Sequence, residues 1–245
     1  MQVGVYIDGF NLYYGGIGLV GGHGVAGWRW IDLRLLSSAV VAAQSGWGLS
    51  AAVSRVVYCT ARISGVDNHQ GQQDQDTYLR ALRKAGAVDH VEYGTYVARV
   101  ANGPLATKDK AGKPVLVTSD WPVQIKDSKD RSVPNARFMV SVARREEKGS
   151  DVNVASHLLI DALEGSIEAA VVVSNDSDLA YPVAAVRQRI PVGVVNPSKN
   201  YTAGALRGDA ASGAGGHWSY SLTRTDIQAA QMSPSVGHLQ RPAGW

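Results

Sequence analysis

The feature that most constrains the fold is an apolar run that ends abruptly in acids. Val171-Val172-Val173 is followed at once by Ser174-Asn175-Asp176-Ser177-Asp178. A short apolar run that stops at turn-forming residues is typical of a buried strand. Open parallel sheets bind their ligands at the carboxyl ends of the strands, where side chains from distant parts of the chain meet. The sequence therefore predicts a strand that delivers Asp176 and Asp178 to such an edge.

Size and composition indicate a chain with a substantial core. The 245 residues are 45% hydrophobic, which suits one large α/β domain or one domain with a small appendage. No apolar run reaches eighteen residues, and no basic and apolar leader opens the chain, so we expect a soluble, cytoplasmic protein without a membrane partner. The single cysteine, Cys59, lies among apolar residues and is expected to be buried; a catalytic thiol is disfavoured.

The order of predicted elements alternates between strand and helix. Predicted strands lie within residues 2–7, 49–60, 88–100, 169–174 and 191–195; predicted helices cover residues 32–43, 72–85, 178–189 and a segment that begins at Asp151. The Gly-rich residues 15–27 are expected to form a flexible loop. This alternation predicts an α/β fold of three layers, α/β/α, with a central and mainly parallel sheet.

The spacing of prolines and glycines divides the chain further. Residues 1–197 are expected to form the domain, with an insertion or β-ribbon at about 101–136, where Gly and Pro are frequent. Residues 198–245 are expected to form a C-terminal extension that packs on this domain. The net charge of +3 is mild, but basic residues are concentrated between Lys108 and Lys148, either as a solvated loop or as a phosphate-binding flank.

Acids follow three of the predicted elements. Asp8 ends the first strand, Asp151 begins a helix, and Asp176 and Asp178 follow the strand at 169–174. Each alone could cap a helix or form a turn. Converging at one edge, however, four carboxylates would repel one another unless a cation neutralised them.

Oxygen ligands suit Mg²⁺ or Mn²⁺, whereas zinc would require histidine or cysteine, which these segments lack. We interpret the six scattered histidines, including His157, as surface or structural residues. A divalent ion at such an edge activates water and stabilises the charge that develops on a phosphoryl group. Phosphodiester hydrolysis is the predicted chemistry.

Three blocks of sequence carry a family resemblance. They are Tyr6-Ile7-Asp8-Gly9-Phe10-Asn11-Leu12, Glu147-Lys148-Gly149-Ser150-Asp151 and Val173-Ser174-Asn175-Asp176-Ser177-Asp178. In this order they resemble the signature blocks of the NYN domain family, which belongs to the PIN-like nuclease superfamily and includes many metal-dependent ribonucleases. The resemblance covers about residues 2–197.

The resemblance implies a PIN-like fold and an acidic Mg²⁺ or Mn²⁺ site. Its catalytic residues would be Asp8, Asn11, Asp151, Asp176 and Asp178, of which the four aspartates would be the metal ligands. Asn11, Lys148 and Ser174 would contact the substrate or support the site. The family usually has glycine at the position of Asn175. Asparagine tolerates a left-handed backbone better than most residues, so we expect the turn to be kept, with a side chain that crowds the metal or the substrate.

Three functions follow as hypotheses. The first is an endoribonuclease that cuts single-stranded or structured RNA. Arg99, Arg144, Arg145 and the basic residues of 108–131 would hold the RNA backbone. Tyr13, Tyr14, Trp28 or Trp30 would either stack on bases or anchor the core and loops. The oligomeric state, monomer or homodimer, is left open.

The second hypothesis is a phosphatase of the haloacid dehalogenase type, which needs an acid at the position of Phe10 and is therefore disfavoured. The third is a non-catalytic, regulatory module that binds RNA.

Overall fold

The computed structural model describes residues 1–66, 68–117 and 124–245, apart from the side chain of Arg145. The strands are β1 (Gln2–Asp8), β2 (Ala52–Ala61), β3 (His90–Pro104), β4 (Ala106–Lys108), β5 (Pro114–Leu116), β6 (Met139–Lys148), β7 (Ala169–Val173), β8 (Val192–Asn196), β9 (Trp218–Ser221), β10 (Ser235–Val236) and β11 (Leu239–Gln240). The α-helices are α1 (Gly9–Val20), α2 (Leu33–Ala42), α3 (His69–Ala85), α4 (Ser150–Glu164), α5 (Ala180–Arg187), α6 (Gly204–Arg207) and α7 (Arg224–Ala229). Short 3₁₀ turns lie at Ser45–Trp47 and Ser177–Leu179.

A seven-stranded sheet with strand order β6-β3-β2-β1-β7-β8-β9 lies at the centre of the fold. From β3 to β9 in this order, every neighbouring pair of strands is parallel. The carboxyl ends of β1 and β7 therefore meet at one edge of the sheet. This central parallel sheet confirms the mixed α/β prediction.

The sheet separates two hydrophobic cores, because successive side chains of a strand point to opposite faces. Val3, Val5 and Ile7 of β1 lie in one core, whereas Tyr6 lies in the other. The first core also contains buried residues of α1, α2, α3 and α7; the second contains those of α4, α5 and α6, among them Leu158. Helices thus cover both faces, as a three-layer α/β/α arrangement requires.

The chain divides into two compact units. The first contains residues 1–96 and 147–245, and the second contains residues 97–146. The predicted insertion at about 101–136 lies within the second unit, where β4 and β5 pair as an antiparallel ribbon. The Asp109 carboxylate closes that ribbon by accepting the backbone N–H groups of Ala111 and Lys113.

Helix α1 corrects the prediction of a flexible loop over residues 15–27, because the helix continues to Val20. Its glycines allow close packing. A Cβ atom on Gly15 would lie 2.4 Å from the carbonyl oxygen of Pro197, and one on Gly16 would lie 2.6 Å from the Trp28 ring. Any larger residue at position 15 or 16 would therefore clash with Pro197 or Trp28, which are distant in sequence. Gly21, with φ of 107°, ends the helix.

Residues 198–245 belong to the first unit and contribute to its sheet and core. β9 pairs with β8 as an edge strand, and Leu222 and Ile227 are buried in the first core. The final residue, Trp245, packs against the rings of Trp30 and Tyr78. Within the part of the chain that the structure describes, no helix has the length and apolar character needed to cross a bilayer.

Candidate metal centre

Asp8 ends β1 at the carboxyl edge of the sheet and is fully buried. One carboxylate oxygen accepts the backbone N–H groups of Phe10 and Asn11, each at 3.0 Å, so that Asp8 caps α1. The other oxygen accepts the Asn11 side-chain amide at 2.6 Å and the Ser174 hydroxyl at 3.0 Å. Four donors therefore surround a carboxylate that offers about four lone-pair positions.

These bonds join the end of β1 to the loop after β7. The Asn11 side-chain oxygen accepts the backbone N–H of Asn175 at 3.2 Å, and the Ser174 hydroxyl oxygen accepts that of Asp176 at 3.1 Å. Asp176 then accepts the backbone N–H of Asp178 at 3.0 Å. The network fixes the positions of Asn11, Ser174 and Asp176, three of the residues that the resemblance singled out.

Three carboxylates converge beside this network. Asp151 projects from the first turn of α4, while Asp176 and Asp178 lie on the loop after β7. One oxygen from each lies within 4.8 Å of the other two. Burial and the nearby charges of Asp8, Asp176, Glu147 and Asp178 raise the Asp151 pKa from 3.8 to about 6. Burial and the neighbouring negative charges therefore destabilise the charged form of Asp151 relative to a carboxylate in water.

Asp8 lies outside this group of three although its charge acts on it. Its own pKa is raised by burial, an effect opposed by the hydrogen bonds from Asn11, Ser174 and Phe10. Because all four donors already occupy its oxygens, direct binding of an ion would displace one of them. Asp8 is thus placed to position the loop and to add negative charge to the centre.

Glu147 is an acid at this centre that sequence reasoning did not assign. Its carboxylate accepts the backbone N–H of Ser150 at 3.0 Å and so holds the residue before Asp151. Its charge contributes to the raised pKa of Asp151. The signal was present in the second sequence block, where Glu147 precedes Asp151 by four residues.

Asn175 serves a role different from the one expected. Asp130 is the residue other than glycine with positive φ among those described, so Asn175 does not occupy a left-handed turn. Its side-chain amide donates to the Tyr201 carbonyl at 3.2 Å, and its side-chain oxygen accepts the Ala203 N–H at 2.7 Å. The side chain thus fastens the loop after β8.

The predicted basic substrate contacts belong to both units of the chain. Lys148 is exposed near the start of α4. Arg99 and Arg144 belong to the second unit, where both pair with Glu146, at 2.9 and 2.6 Å. The side chain of Arg145 lies outside the described residues.

Aromatic residues beside Asp8 form an exposed group. The Phe10 ring lies 6.2 Å from the Tyr14 ring and 5.8 Å from the Tyr96 ring, and we call these three residues the aromatic surface. Tyr14 is 59% exposed and Tyr96 is 41% exposed. Tyr13 is also exposed, whereas Trp28 and Trp30 are buried and belong to the core.

Comparison with known proteins gives limited similarity. No protein-family model matches the chain. Over 216 residues, 81% of this chain, it is 28% identical to the protein named 6-hydroxy-3-succinoylpyridine 3-monooxygenase HspA from Pseudomonas putida. The chain spans 60% of that relative's length. A crystal structure of a protein of unknown function from Vibrio parahaemolyticus is similar with a TM-score of 0.42 and 14% identity, over 89% of this chain and 91% of that one.

The centre itself offers oxygen ligands at the carboxyl end of parallel strands. Its donor set, three carboxylates from two separate elements, fits a hard divalent cation. Such an ion would offset both the burial and the negative charges that raise the Asp151 pKa. The three carboxylates are therefore arranged so that they could hold a divalent ion.

Proposed function

We propose that the protein is a metal-dependent endoribonuclease that hydrolyses phosphodiester bonds of RNA. The observation that carries the proposal is the convergence of Asp151, Asp176 and Asp178 at the carboxyl edge of the parallel sheet. The resemblance of the three sequence blocks to the NYN domain family supports the same reaction. Hydrolysis adds one water across a phosphodiester bond and leaves a phosphate monoester and a hydroxyl group.

Asp151, Asp176 and Asp178 would hold Mg²⁺ or Mn²⁺. When bound, the ion supplies charge stabilisation at the phosphoryl group and lowers the pKa of water. Carboxylate oxygens are the ligands that both ions prefer. Asp8 holds Asn11 and Ser174 in place, and Glu147 holds the start of α4.

The aromatic surface suits a single-stranded substrate. Bases stack on aromatic side chains largely regardless of sequence, at about 1–3 kcal/mol for each base. Phe10 lies in the first turn of α1 and its backbone N–H binds the Asp8 carboxylate, so bases stacked on Phe10, Tyr14 or Tyr96 would lie close to the acidic centre. This proximity favours RNA with unpaired bases over a small phosphate ester.

The test is cleavage of a fluorescently labelled single-stranded RNA by purified protein in Mn²⁺, Mg²⁺ or chelator. Asp176→Asn and Asp178→Asn each remove one charged ligand from an exposed or partly exposed position, so the fold should persist. We expect a loss of at least ~100-fold in rate for each variant, in the range by which removal of one group that stabilises transition-state charge slows an enzyme.

Glu164→Gln is the matched control, because Glu164 is an exposed acid at the opposite end of α4. It should cut RNA at the wild-type rate. Equal metal-dependent cleavage by wild type, Asp176→Asn and Asp178→Asn would refute the proposal. RNA binding without cleavage would favour the non-catalytic hypothesis, and hydrolysis of p-nitrophenyl phosphate alone would favour a phosphatase.

A second candidate function rests on the similarity to the relative named as a monooxygenase. A monooxygenase places one atom of dioxygen in its substrate and reduces the other to water with two electrons from a donor. The assay combines 6-hydroxy-3-succinoylpyridine, reduced nicotinamide cofactor and the protein, and follows oxygen consumption. Substrate-dependent consumption that survives Asp176→Asn would establish this function independently of the acidic centre.

A further inference from the structure

We propose that His90, Glu92 and His157 form a second metal site, one that takes Zn²⁺ or a similar transition-metal ion. His90 and Glu92 are two residues apart on β3, so their side chains share one face of the sheet. His157 reaches the same place from α4. These residues lie outside the acidic centre and go beyond the ribonuclease proposal.

The distances suit a tetrahedral ion. The Glu92 Oε2 atom lies 2.8 Å from His90 Nε2 and 3.4 Å from His157 Nε2. One ligand atom from each residue lies within 4.8 Å of the other two. Zinc bonds of about 2.0–2.1 Å in tetrahedral geometry place neighbouring ligand atoms roughly 3.3 Å apart. His90 and Glu92 would therefore separate by about half an ångström to admit the ion.

The donor set selects the class of ion. Two imidazole nitrogens and one carboxylate oxygen match the His₂Glu ligand sets that bind zinc and leave a fourth position open. Mg²⁺ and Mn²⁺ prefer oxygen ligands and would favour the three aspartates. The histidine-containing cluster would thus prefer zinc, and the three aspartates would prefer Mg²⁺ or Mn²⁺.

The site is accessible and partly preorganised. The side chains of His90, Glu92 and His157 are 45%, 37% and 21% exposed, so an ion can enter from solvent. The centroids of the two histidine rings lie 5.0 Å apart, and both rings contact the Glu92 carboxylate. Both β3 at these residues and α4 belong to the first unit, so an ion would cross-link a strand to the helix that carries Asp151.

The sheet register separates the two centres. Asp8 of β1 aligns with Cys59 of β2, which in turn aligns with Glu92 of β3. Glu92 therefore lies in the same row as Asp8 but two strands away, roughly 9–10 Å at a spacing of about 4.8 Å for each strand. The two ligand sets also share no residue, so loss of one cluster should leave the other intact.

The test measures Zn²⁺ affinity of metal-stripped, full-length protein by competition with a chromophoric chelator. All variants are made in the Asp176→Asn, Asp178→Asn background, so that zinc held by the acidic centre does not contribute. We expect one equivalent of zinc in this background, and at least a ~10- to 100-fold loss of affinity for His90→Gln and for His157→Gln, since even removal of a residue that only supports a ligand costs this much. His69→Gln, at an exposed position at the start of α3, should bind as the background protein does.

Co²⁺ provides a second readout. Replacement of zinc by Co²⁺ should give the visible absorption of a four- or five-coordinate ion in the background protein, and His157→Gln should lose it while its far-ultraviolet circular dichroism is unchanged. The proposal is overturned if the background protein binds no zinc at micromolar concentration. Zinc affinity that is unchanged by both His90→Gln and His157→Gln would overturn it equally.

Discussion

Asp151→Asn tests whether the acidic centre is under electrostatic strain that an ion relieves. In the metal-free protein, burial and four neighbouring carboxylates raise the pKa of Asp151 from 3.8 to about 6. The charged form of this side chain is therefore destabilised in the folded state. Asparagine has nearly the same shape and no charge, so the variant should be more stable than wild type at neutral pH without metal.

The rise in the pKa of Asp151 sets the size of the stability gain expected for Asp151→Asn. One pKa unit corresponds to about 1.4 kcal/mol, so the upper limit is about 3 kcal/mol. Asp151 is only partly buried, and solvent screening reduces this figure to about 1–2 kcal/mol. With an unfolding entropy of about 2.1 cal/mol/K for each residue, the variant should melt about 2–4 °C above wild type.

The stability difference between wild type and Asp151→Asn should depend on pH with a definite sign. Because the folded-state pKa of Asp151 is higher than its unfolded value, the folded state binds more protons between pH 3.8 and about 6. Wild type therefore loses stability from this group as pH rises through that window, and Asp151→Asn does not. The difference in melting temperature should be complete at pH 7.5 and about half as large at pH 5.

Differential scanning calorimetry with and without Mn²⁺ provides the assay. A ligand at 100 times its Kd stabilises the folded state by about 2.7 kcal/mol, so Mn²⁺ should raise the melting temperature of wild type but hardly that of Asp151→Asn. The order of stabilities should therefore reverse on addition of metal. Glu164→Gln should follow wild type throughout. The reasoning fails if Asp151→Asn melts below wild type in chelator at pH 7.5, or if Mn²⁺ stabilises both proteins equally.

Two further predictions concern the surroundings of the centre. Asn175→Gly removes the side-chain hydrogen bonds to Tyr201 and Ala203, so it should lower the free energy of unfolding by about 1–3 kcal/mol in a urea titration. The variant should not cleave RNA faster than wild type. Faster cleavage would show that the asparagine obstructs the site. The double variant Tyr14→Ala, Tyr96→Ala should raise the KM for single-stranded RNA by at least ~10-fold, because the bases lose their stacking partners. The control is Tyr181→Ala, which removes an exposed tyrosine on α5 and should leave the KM unchanged. If the double variant and the control have the same KM, the aromatic surface does not bind the substrate.

Elements with regular apolar patterns could be predicted from sequence because the pattern itself reports burial. β7 is the clearest case, since Ala169–Val173 is buried throughout and the acids follow directly. Helix α1 could not be predicted in the same way. Gly15 and Gly16 look like helix breakers, and the reason for them, contact with Pro197 and Trp28, depends on residues distant in the chain.

The same distinction applies to the candidate sites: residues marked by a pattern in the sequence were predictable, and residues scattered in the sequence were not. Asp176 and Asp178 are neighbours in sequence, so their proximity was predictable, and Asp151 followed from the order of strands and helices. His157 is separated from Glu92 by 65 residues, and the two side chains meet only in the folded chain. Single residues scattered in a sequence carry no such signal until the fold brings them together.

Asp8 illustrates why residue type alone does not assign a role. An aspartate after a strand suits a helix cap, a turn or a metal ligand equally well, because all three use the lone pairs of a carboxylate oxygen, either to accept a hydrogen bond or to bind a metal ion. The structure shows the helix cap, since the Asp8 carboxylate accepts the Phe10 and Asn11 N–H groups at the start of α1; its role as a metal ligand stays a prediction. At Asp151, burial and the neighbouring carboxylates raise the pKa, so positive charge added beside it would stabilise its charged form.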